Sequence, residues 1–259
     1  MNGDIGWSGL ATSLVLVVVA IGLSAWRRLD LERSIAWASA RAIVQLLAIG
    51  WILQILFESN QSLAWSWLWV MMMVLFAAET VRRRAREVPD VFPLALAAFA
   101  AAGAVSLGVL FGLGVFDLSA RTLIPLAGLM IGNSMTATIL VARRLFEELR
   151  DKRAEVEARL ALGQVSSEAA RPYVRHALRT ALIPQIETTK AVGLIFLPGA
   201  MTGLILAGVD PIDAVRVQAA VMFLVLGSAA TTTVVVALGV QRRLFTRDHQ
   251  LVRMERTAD

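Results

Sequence analysis

Polar residues that could line a route for a solute lie inside two long apolar segments of the chain. They are Asn133, Ser134, Met135 and Thr136 in one segment, and Met201 and Thr202 in the other. The second group directly follows Pro198-Gly199, and a proline removes a helix hydrogen bond. Irregular backbone inside a membrane must face protein or a water-filled cavity. The pattern therefore predicts a helix break at Pro198 and Gly199 with a substrate pathway beside it.

A basic residue and an amide share one face of another apolar segment, because Arg41 and Gln45 are four residues apart. A guanidinium is costly in lipid, so this face should point into the helix bundle or toward the cytoplasmic interface. The alternative is that Arg41 extends its charged end to the cytoplasmic surface. The residues alone leave both interpretations open.

Two carboxylates near the ends of apolar segments have basic neighbours. Glu79 precedes Arg82–Arg84, and Glu187 lies three residues before Lys190. These spacings favour ion pairs along a helix. An interfacial ion pair is therefore the favoured role of Glu79, with a transport site as the alternative.

The sequence lacks the motifs of several enzyme classes. It contains no GxxxxGK[ST], no HExxH and no GxSxG, so it offers no P-loop for ATP and no known protease or lipase motif. There is no cysteine, and both histidines, His176 and His249, lie in predicted cytoplasmic regions. An intramembrane zinc or haem site would therefore have no such ligands.

The composition requires a lipid environment. Hydrophobic residues make up 57% of the 259 residues, against about 45–50% in soluble domains, and the mean hydropathy is +0.67. Apolar segments near the ~20 residues that a bilayer needs occur at 9–26, 35–57, 64–81, 92–116, 122–143, 189–209 and 213–240. We therefore predict an all-α polytopic membrane protein with about seven transmembrane helices.

The basic residues predict the orientation. Arginines cluster at every second connection, which is the positive-inside pattern and not a nucleic-acid groove, despite the net charge of +5. The N-terminus is then outside and the C-terminus cytoplasmic. Asp4 precedes the first segment and Arg27-Arg28 follow it, so we expect an anchor and not a cleaved signal peptide. Residues 1–259 are predicted to form a single transmembrane domain.

A cytoplasmic insert at about residues 144–188 separates spans five and six. Strong helix formers predict a helix over 145–162 that ends at Gly163. The expected ion pairs are Glu148 with Lys152 and Glu155 with Arg159. A second helix is expected to begin near Ser166 or Ser167. Pro172 and Pro184 are expected to interrupt or bend this second helix. The insert is either a solvated hairpin or an element that transmits motion from a cytoplasmic motor. The helix pattern alone favours the hairpin.

Small residues recur at a spacing of four in three apolar segments. The pairs are Gly108 and Gly112, Gly128 and Gly132, and Gly199 and Gly203. This spacing allows helix backbones to approach closely, and each pair alone indicates ordinary packing.

Several ordered blocks carry a resemblance to a known family. They are Arg41-Ala-Ile-Val-Gln45-Leu, Ile131-Gly-Asn-Ser-Met135, Glu155-Val-Glu-Ala-Arg-Leu-Ala-Leu-Gly163 and Leu197-Pro-Gly-Ala-Met-Thr-Gly203, the last continuing through Ala207–Pro211 and Ala214–Arg216 to Gln218. Over most of its length the chain resembles the FetB-type ABC permease family. These are bacterial iron-export permeases related to the membrane subunit of plant aluminium-tolerance transporters.

The resemblance implies the membrane-spanning permease of an ATP-driven exporter in the bacterial inner membrane. It implies a separate ABC ATP-binding subunit, a permease homodimer, and no cofactor bound by this chain, with ATP used by the partner. The residues that would couple to the ATPase are Glu155, Glu157, Ala158, Leu162 and Gly163. Gln218 joins the predicted pathway. With the resemblance, the coupling interpretation of the insert becomes the favoured one.

Iron export is the activity that the resemblance implies. Fe²⁺ accepts carboxylate, amide and thioether ligands, and Glu79, Met135 and Met201 are candidate metal ligands, with Asn133 and Gln218 as amides. Few carboxylates reach the middle of the membrane, so an organic anion or a nucleotide sugar is the alternative cargo. A membrane scaffold without transport activity is the alternative from another class.

Overall fold

The computed structural model describes residues 7–57, 62–246 and 248–252. These ranges are helical apart from turns and two isolated β-bridges. The helices are α1 (Trp7–Arg27), α2 (Glu32–Leu56), α3 (Leu63–Arg84), α4 (Val91–Gly112), α5 (Ala120–Asp151), α6 (Arg153–Ala161), α7 (Ser166–Ala191), α8 (Gly199–Leu206) and α9 (Pro211–Leu244).

Five of these helices are long and apolar enough to cross a membrane: α2, α3, α4, α5 and α9. A shorter apolar helix covers Ala11–Arg27. The prediction of an all-helical, multi-pass membrane protein is confirmed. The count of seven spans and the orientation stay predictions.

The sixth predicted span, 189–209, is not one continuous helix. Helix α7 ends at Ala191, and α8 begins only at Gly199 and has 8 residues. Eight residues rise about 12 Å, which is less than half of the ~30 Å hydrocarbon core. Hydropathy measures apolar character and not helical continuity, and the non-helical residues at 192–198 lie next to the predicted break at Pro198 and Gly199.

The chain divides into two compact units, Met1–Ser62 and Leu63–Asp259. In the first unit α1 packs against α2, and the turn between them is held by Ser24, whose hydroxyl donates to Glu32 at 2.7 Å. No described residue of α2 is buried. The single-domain prediction stays a prediction.

In the second unit α5 and α9 form the centre. Helices α4 and α7 pack against α9, while α3 and α7 pack against α5. The buried faces of α5 and α9 are rich in small and hydroxyl-bearing residues. A side chain at Gly239 would overlap Leu94, whose Cγ lies 3.0 Å from an ideal Cβ position. Helices α4 and α9 therefore approach closely at Gly239.

The predicted glycine pairs have a smaller part in this packing. An ideal Cβ at Gly128 would lie 3.2 Å from the Met73 methyl group, so the lack of a side chain at Gly128 allows α3 to pack closely against α5. No atom of the described chain lies within 4 Å of a Cβ built at Gly108, Gly112, Gly132, Gly199 or Gly203. Within the described residues these five glycines are not sites of close helix contact.

The insert is built differently from its prediction. Helix α5 continues beyond the apolar segment to Asp151, and a short α6 then covers Arg153–Ala161. The predicted pairs are wrong in register: the contacts are Lys152 with Glu155, Arg153 with Glu157, and Arg144 and His176 with Glu148. The break at Lys152 changes the helical phase on which the predicted pairs depended.

The second insert helix begins at Ser166, as predicted. It continues through Pro172 and Pro184 to Ala191, so the expected interruption is wrong. Gly163 adopts a φ of +86°, the left-handed conformation that a glycine supplies after a helix. The predicted end of the first insert helix is therefore confirmed.

Candidate functional site

The segment between α7 and α8 is a non-helical break at 192–198. Val192 is extended, and Gly193 has a φ of +82°. The Gly193 N–H donates to the Phe196 carbonyl at 3.0 Å, which closes a tight loop. At the tip of this loop, Leu194 is 91% exposed and Ile195 is 81% exposed. Pro198 then precedes α8 as its N-cap residue.

Gln218 of α9 binds the beginning of α8. Its side-chain oxygen accepts the Met201 N–H at 3.3 Å, and the residue is 6% exposed. The first N–H groups of a helix have no partner inside the helix, so Gln218 satisfies one of them. The Thr202 hydroxyl donates to the Pro198 carbonyl at 3.1 Å. The break is thus a stabilised structure with polar contacts on both sides.

The depth of this contact follows from α9. Gln218 lies seven residues after Pro211, the first residue of α9, which is about 10 Å along the helix. The start of α8 therefore lies beside the N-terminal third of α9.

The polar residues of α5 point to different sides of that helix. The Asn133 amide donates to the Leu129 carbonyl at 2.8 Å, which leaves its side-chain oxygen without a described partner. Ser134 is fully buried and donates to the Ser228 hydroxyl at 3.0 Å. Thr136 is exposed, and Met135 packs partly buried against the core. Asn133 and Thr136 can face a solute, whereas Ser134 joins α5 to α9.

The two parts of the predicted pathway lie at different heights along α9. Ser134 contacts α9 at Ser228, and Met201 contacts it at Gln218. Ten residues of helix separate these contacts by about 15 Å. Among the described residues, no hydrogen bond joins the Asn133 group to α8.

The other candidates lie elsewhere. Arg41 and Gln45 are exposed on α2, in the first unit. Glu79 accepts hydrogen bonds from Arg82 at 2.6 Å and Arg83 at 2.8 Å, which confirms the predicted ion pair. Among the described residues, no group of three or more His, Cys, Asp or Glu could hold a metal ion.

Helix α6 contacts α7 through the Glu155 side chain and contributes one buried apolar side chain to the core. Val156 is fully buried, and Glu155 accepts from Lys152 at 2.9 Å and from the Tyr173 hydroxyl at 3.0 Å. The Lys152 hydrogen bond, followed by that of Tyr173, lowers the pKa of Glu155. Burial, with the Glu155 hydrogen bond adding to it, raises the pKa of Tyr173.

The C-terminal segment also contacts α6. Arg153 donates to the carbonyls of Leu251 and Val252, each at 3.1 Å, and to Glu157 at 2.6 Å. Sequence analysis missed both Arg153 and Tyr173, because their partners are distant in sequence and no spacing rule indicates them. The only local signal was the position of Tyr173, the single tyrosine, on the apolar side of α7.

The other side of α6 is open. Glu157 and Ala158 are exposed, and Leu162 at the end of the helix is 83% exposed. Gly163 turns the chain directly after it. All five predicted coupling residues therefore lie on an accessible surface, and Glu155 in addition contacts Tyr173 of α7.

Comparison with known proteins gives the family. Residues 7–245 match the family described as "Uncharacterised protein family (UPF0014)". The chain belongs to the UPF0014 family. The matched range includes every candidate residue described above, from Arg41 to Gln218.

Three UPF0014 relatives illustrate the similarity. The Oryza sativa "UPF0014 membrane protein STAR2" is 40% identical over 219 residues, 85% of this chain and 76% of the relative. The Escherichia coli "Probable iron export permease protein FetB" is 34% identical over 247 residues, 94% of this chain and 93% of the relative. The Arabidopsis thaliana "Protein ALUMINUM SENSITIVE 3" is 35% identical over 241 residues, 93% and 88% of the two chains.

No solved structure matches the chain. Membership in UPF0014, together with the five long apolar helices, establishes a multi-pass membrane protein related to permeases.

Proposed function

We propose that this UPF0014 protein is the membrane-spanning subunit of an ATP-driven exporter that moves iron out of the bacterial cytoplasm across the inner membrane. The observation that carries the proposal is the break between α7 and α8, where the buried Gln218 binds the start of α8. We place this break inside the membrane. The FetB relative, named as a probable iron export permease, supports the choice of cargo.

A helix break at this depth supports transport for a physical reason. Backbone N–H and C=O groups that are unpaired in lipid cost several kcal/mol each. A non-helical segment at 192–198 is therefore tolerated where protein or water covers it. Transporters use such breaks because the freed carbonyl groups can replace part of the hydration shell of a cation.

A second copy of the chain would cover the non-helical segment at 192–198. The loop tip at Leu194 and Ile195 is exposed in the single chain, and so is the face of α5 that carries Gly132 and Thr136. In a homodimer these surfaces could enclose a common pathway lined by Asn133 and α8.

Helix α6 is suited to receive motion from an ATP-binding subunit. Its inner side is attached to α7 through Glu155 and Tyr173, while Leu162 projects from the molecule. A partner that binds Leu162 would pull on α7, and α7 leads directly to the break at Ala191. This continuous path supports coupling of ATP hydrolysis to the pathway, with ATP bound by the partner.

Iron would pass without a permanent protein site. Fe²⁺ binds amide oxygens and thioethers less tightly than a set of carboxylates and imidazoles, and a transported ion must also leave its sites. The Asn133 oxygen, Met135 and Met201 can provide such transient contacts. Glu79 is occupied by two arginines, so we assign it no role in the pathway.

The test is ATP-driven movement of ⁵⁵Fe²⁺ into inverted membrane vesicles that contain this chain and its proposed ABC ATP-binding subunit. We expect uptake that needs both subunits and hydrolysable ATP. The control is the same pair with a hydrolysis-deficient ATP-binding subunit, which should show no uptake.

This experiment tests the identity of the cargo and the assignment as an exporter separately. ATP-dependent uptake of a labelled nucleotide sugar, with no uptake of iron, would make the cargo wrong and keep the exporter. No ATP-dependent uptake of either solute, in vesicles where both subunits are assembled, would favour the non-transporting scaffold.

A further inference from the structure

One face of α7 carries a row of arginines without partners. Arg171, Arg175 and Arg179 are spaced by four residues, so they lie one above the other on the exposed side of the helix. Together with Arg159 they line a cleft of about 670 Å³. The cleft also contains His176 and a single carboxylate; the remaining lining residues are Gln164, Glu168 and Pro172.

The row differs in its surroundings from the arginines that contact carboxylates. Those that contact carboxylates are Arg82, Arg83, Arg143, Arg144, Arg150, Arg153, Arg216 and Arg243. In the part of the chain that the structure describes, Arg171, Arg175 and Arg179 make neither an ion pair nor a hydrogen bond. Three aligned, unpaired guanidinium groups in one cleft are complementary to an anion with several oxygens.

The contacts between α5 and α7 give the height of the row. His176 of α7 contacts Glu148 of α5, and Tyr173 of α7 contacts Glu155 of α6, which directly follows α5, so α5 and α7 run in opposite directions. Arg179 is therefore level with Arg144 to within about 2 Å. Arg143 and Arg144 follow the end of the apolar stretch of α5, which places Arg179 at the boundary of the hydrocarbon.

The other two arginines lie farther from the membrane core. Arg175 is about 6 Å and Arg171 about 12 Å beyond Arg179 along the helix. The polar headgroup layer is about 5–8 Å thick on each side of the bilayer. Arg179 and Arg175 thus lie within the headgroup layer, and Arg171 lies at or beyond its outer edge.

We propose that the cleft lined by Arg159, Arg171, Arg175 and Arg179 binds the phosphate headgroup of an anionic phospholipid. Arg179 and Arg175 hold the phosphate, since they lie at its depth and have no competing carboxylate. Arg171 contributes long-range attraction from the outer edge of the layer. Because the bound lipid lies against α7, it would hold in place the helix that joins α6 to the break at Ala191.

The test uses the full chain reconstituted in phosphatidylcholine vesicles that contain a trace of spin-labelled phosphatidylglycerol or spin-labelled phosphatidylcholine. Electron spin resonance gives the relative association of each lipid with the protein. We expect a preference for phosphatidylglycerol that falls by about fivefold for each guanidinium removed at headgroup depth. Arg179→Gln and Arg175→Gln should each have a large effect, and Arg171→Gln the smallest.

Two multiple variants serve as controls. The variant R83Q/R84Q/R86Q removes the same charge from the basic end of α3, outside the cleft, and should keep the preference. The variant R171K/R175K/R179K keeps the charge and should retain part of the preference, because lysine binds phosphate as a point charge. Equal losses in R171Q/R175Q/R179Q and in R83Q/R84Q/R86Q would overturn the proposal.

Other occupants of the cleft have distinct signatures. Displacement of the labelled lipid by an equal concentration of inorganic phosphate would identify a site for free anions and overturn the lipid proposal. If R171Q/R175Q/R179Q keeps the lipid preference and loses the ATP-binding subunit, the cleft is a protein-docking surface and the proposal is wrong. The lipid measurements do not require transport, so they test the lipid site independently of the proposed exporter function.

Discussion

Gln218 is the residue on which the proposed pathway depends most. It is a buried amide on α9 that binds a backbone N–H of α8, a helix too short to span the membrane alone. An amide in this position both fixes α8 and remains able to exchange partners when α8 moves. A substitution of Gln218 can therefore be distinguished from that of an ordinary packing residue, because it should impair transport while the chain still assembles.

We predict that Gln218→Leu abolishes or strongly reduces transport while the chain still inserts and assembles. The lost hydrogen bond costs about 1 kcal/mol, which is too little to unfold the protein but enough to shift α8. The measurement is ATP-dependent iron uptake normalised to the amount of assembled protein. Gln241→Leu, the same change at the other end of α9, is the control and should leave uptake unchanged; equal loss in both would contradict the assignment.

A second residue-scale prediction concerns the attachment of α6. Tyr173→Phe removes the hydroxyl that donates to Glu155, and we expect faster hydrogen exchange of the α6 amides. Thr180→Val on the same helix, a change without a described hydrogen bond, should not alter it. Unchanged exchange in Tyr173→Phe would mean that Val156 and the Arg153 contacts hold α6 without the Tyr173 hydroxyl.

The same contact predicts a pH dependence. Because the pKa of Glu155 is lowered in the folded protein, its contribution is complete above the ordinary value of 4.5 and is lost as the pH falls through the lowered value. We expect α6 exchange, corrected for its intrinsic pH dependence, to increase below about pH 4.5. Glu155→Gln should remove this dependence; a persistent acid transition in that variant would assign it to another group.

At the scale of helices, packing depends on a glycine that no spacing rule selected. Gly239→Val would force a side chain into Leu94 of α4, and overpacking of this kind costs about 1–3 kcal/mol. We predict a lower unfolding temperature in detergent for this variant. Gly108→Val, at a helical glycine with open space around it, is the control and should change the temperature less. A similar loss at both positions would contradict close packing of α4 and α9.

The sequence permitted much of the helical arrangement to be predicted, because long apolar runs are a strong signal for spans. It also indicated the break at Pro198 and the end of the insert helix at Gly163. It could not show that α7 continues through Pro172 and Pro184, since tertiary contacts such as the buried face around Tyr173 override a local preference. Nor could it give the contacts of Gln218 or Arg153, because both partners are distant along the chain.

At the scale of the whole molecule, charged contacts collect at one end of the second unit. Arg243 of α9 binds the turn at Pro89 and Asp90, Arg143 of α5 contacts Glu87, and Arg153 binds the C-terminal segment. These contacts join α4, α5, α6 and α9 into a common base. A partner that moves α6 would therefore act on several spans together.

Leu162 is the point at which such a partner can be tested. We predict that Leu162→Glu weakens binding of the ATP-binding subunit by about tenfold or more, because a carboxylate cannot enter the apolar pocket that a leucine requires. Co-purification and its dependence on subunit concentration measure the effect. Leu29→Glu, at an exposed leucine in the turn between α1 and α2, should leave the subunits together.

The most direct test of the central claim measures ATP hydrolysis and ⁵⁵Fe²⁺ movement in the same proteoliposomes. We predict that the chain alone hydrolyses no ATP, that the chain with its ATP-binding subunit moves iron in proportion to ATP hydrolysed, and that Leu162→Glu abolishes both activities together. ATP hydrolysis by the purified chain alone, or iron movement that is independent of ATP, would contradict an ATP-driven exporter whose membrane subunit is this protein.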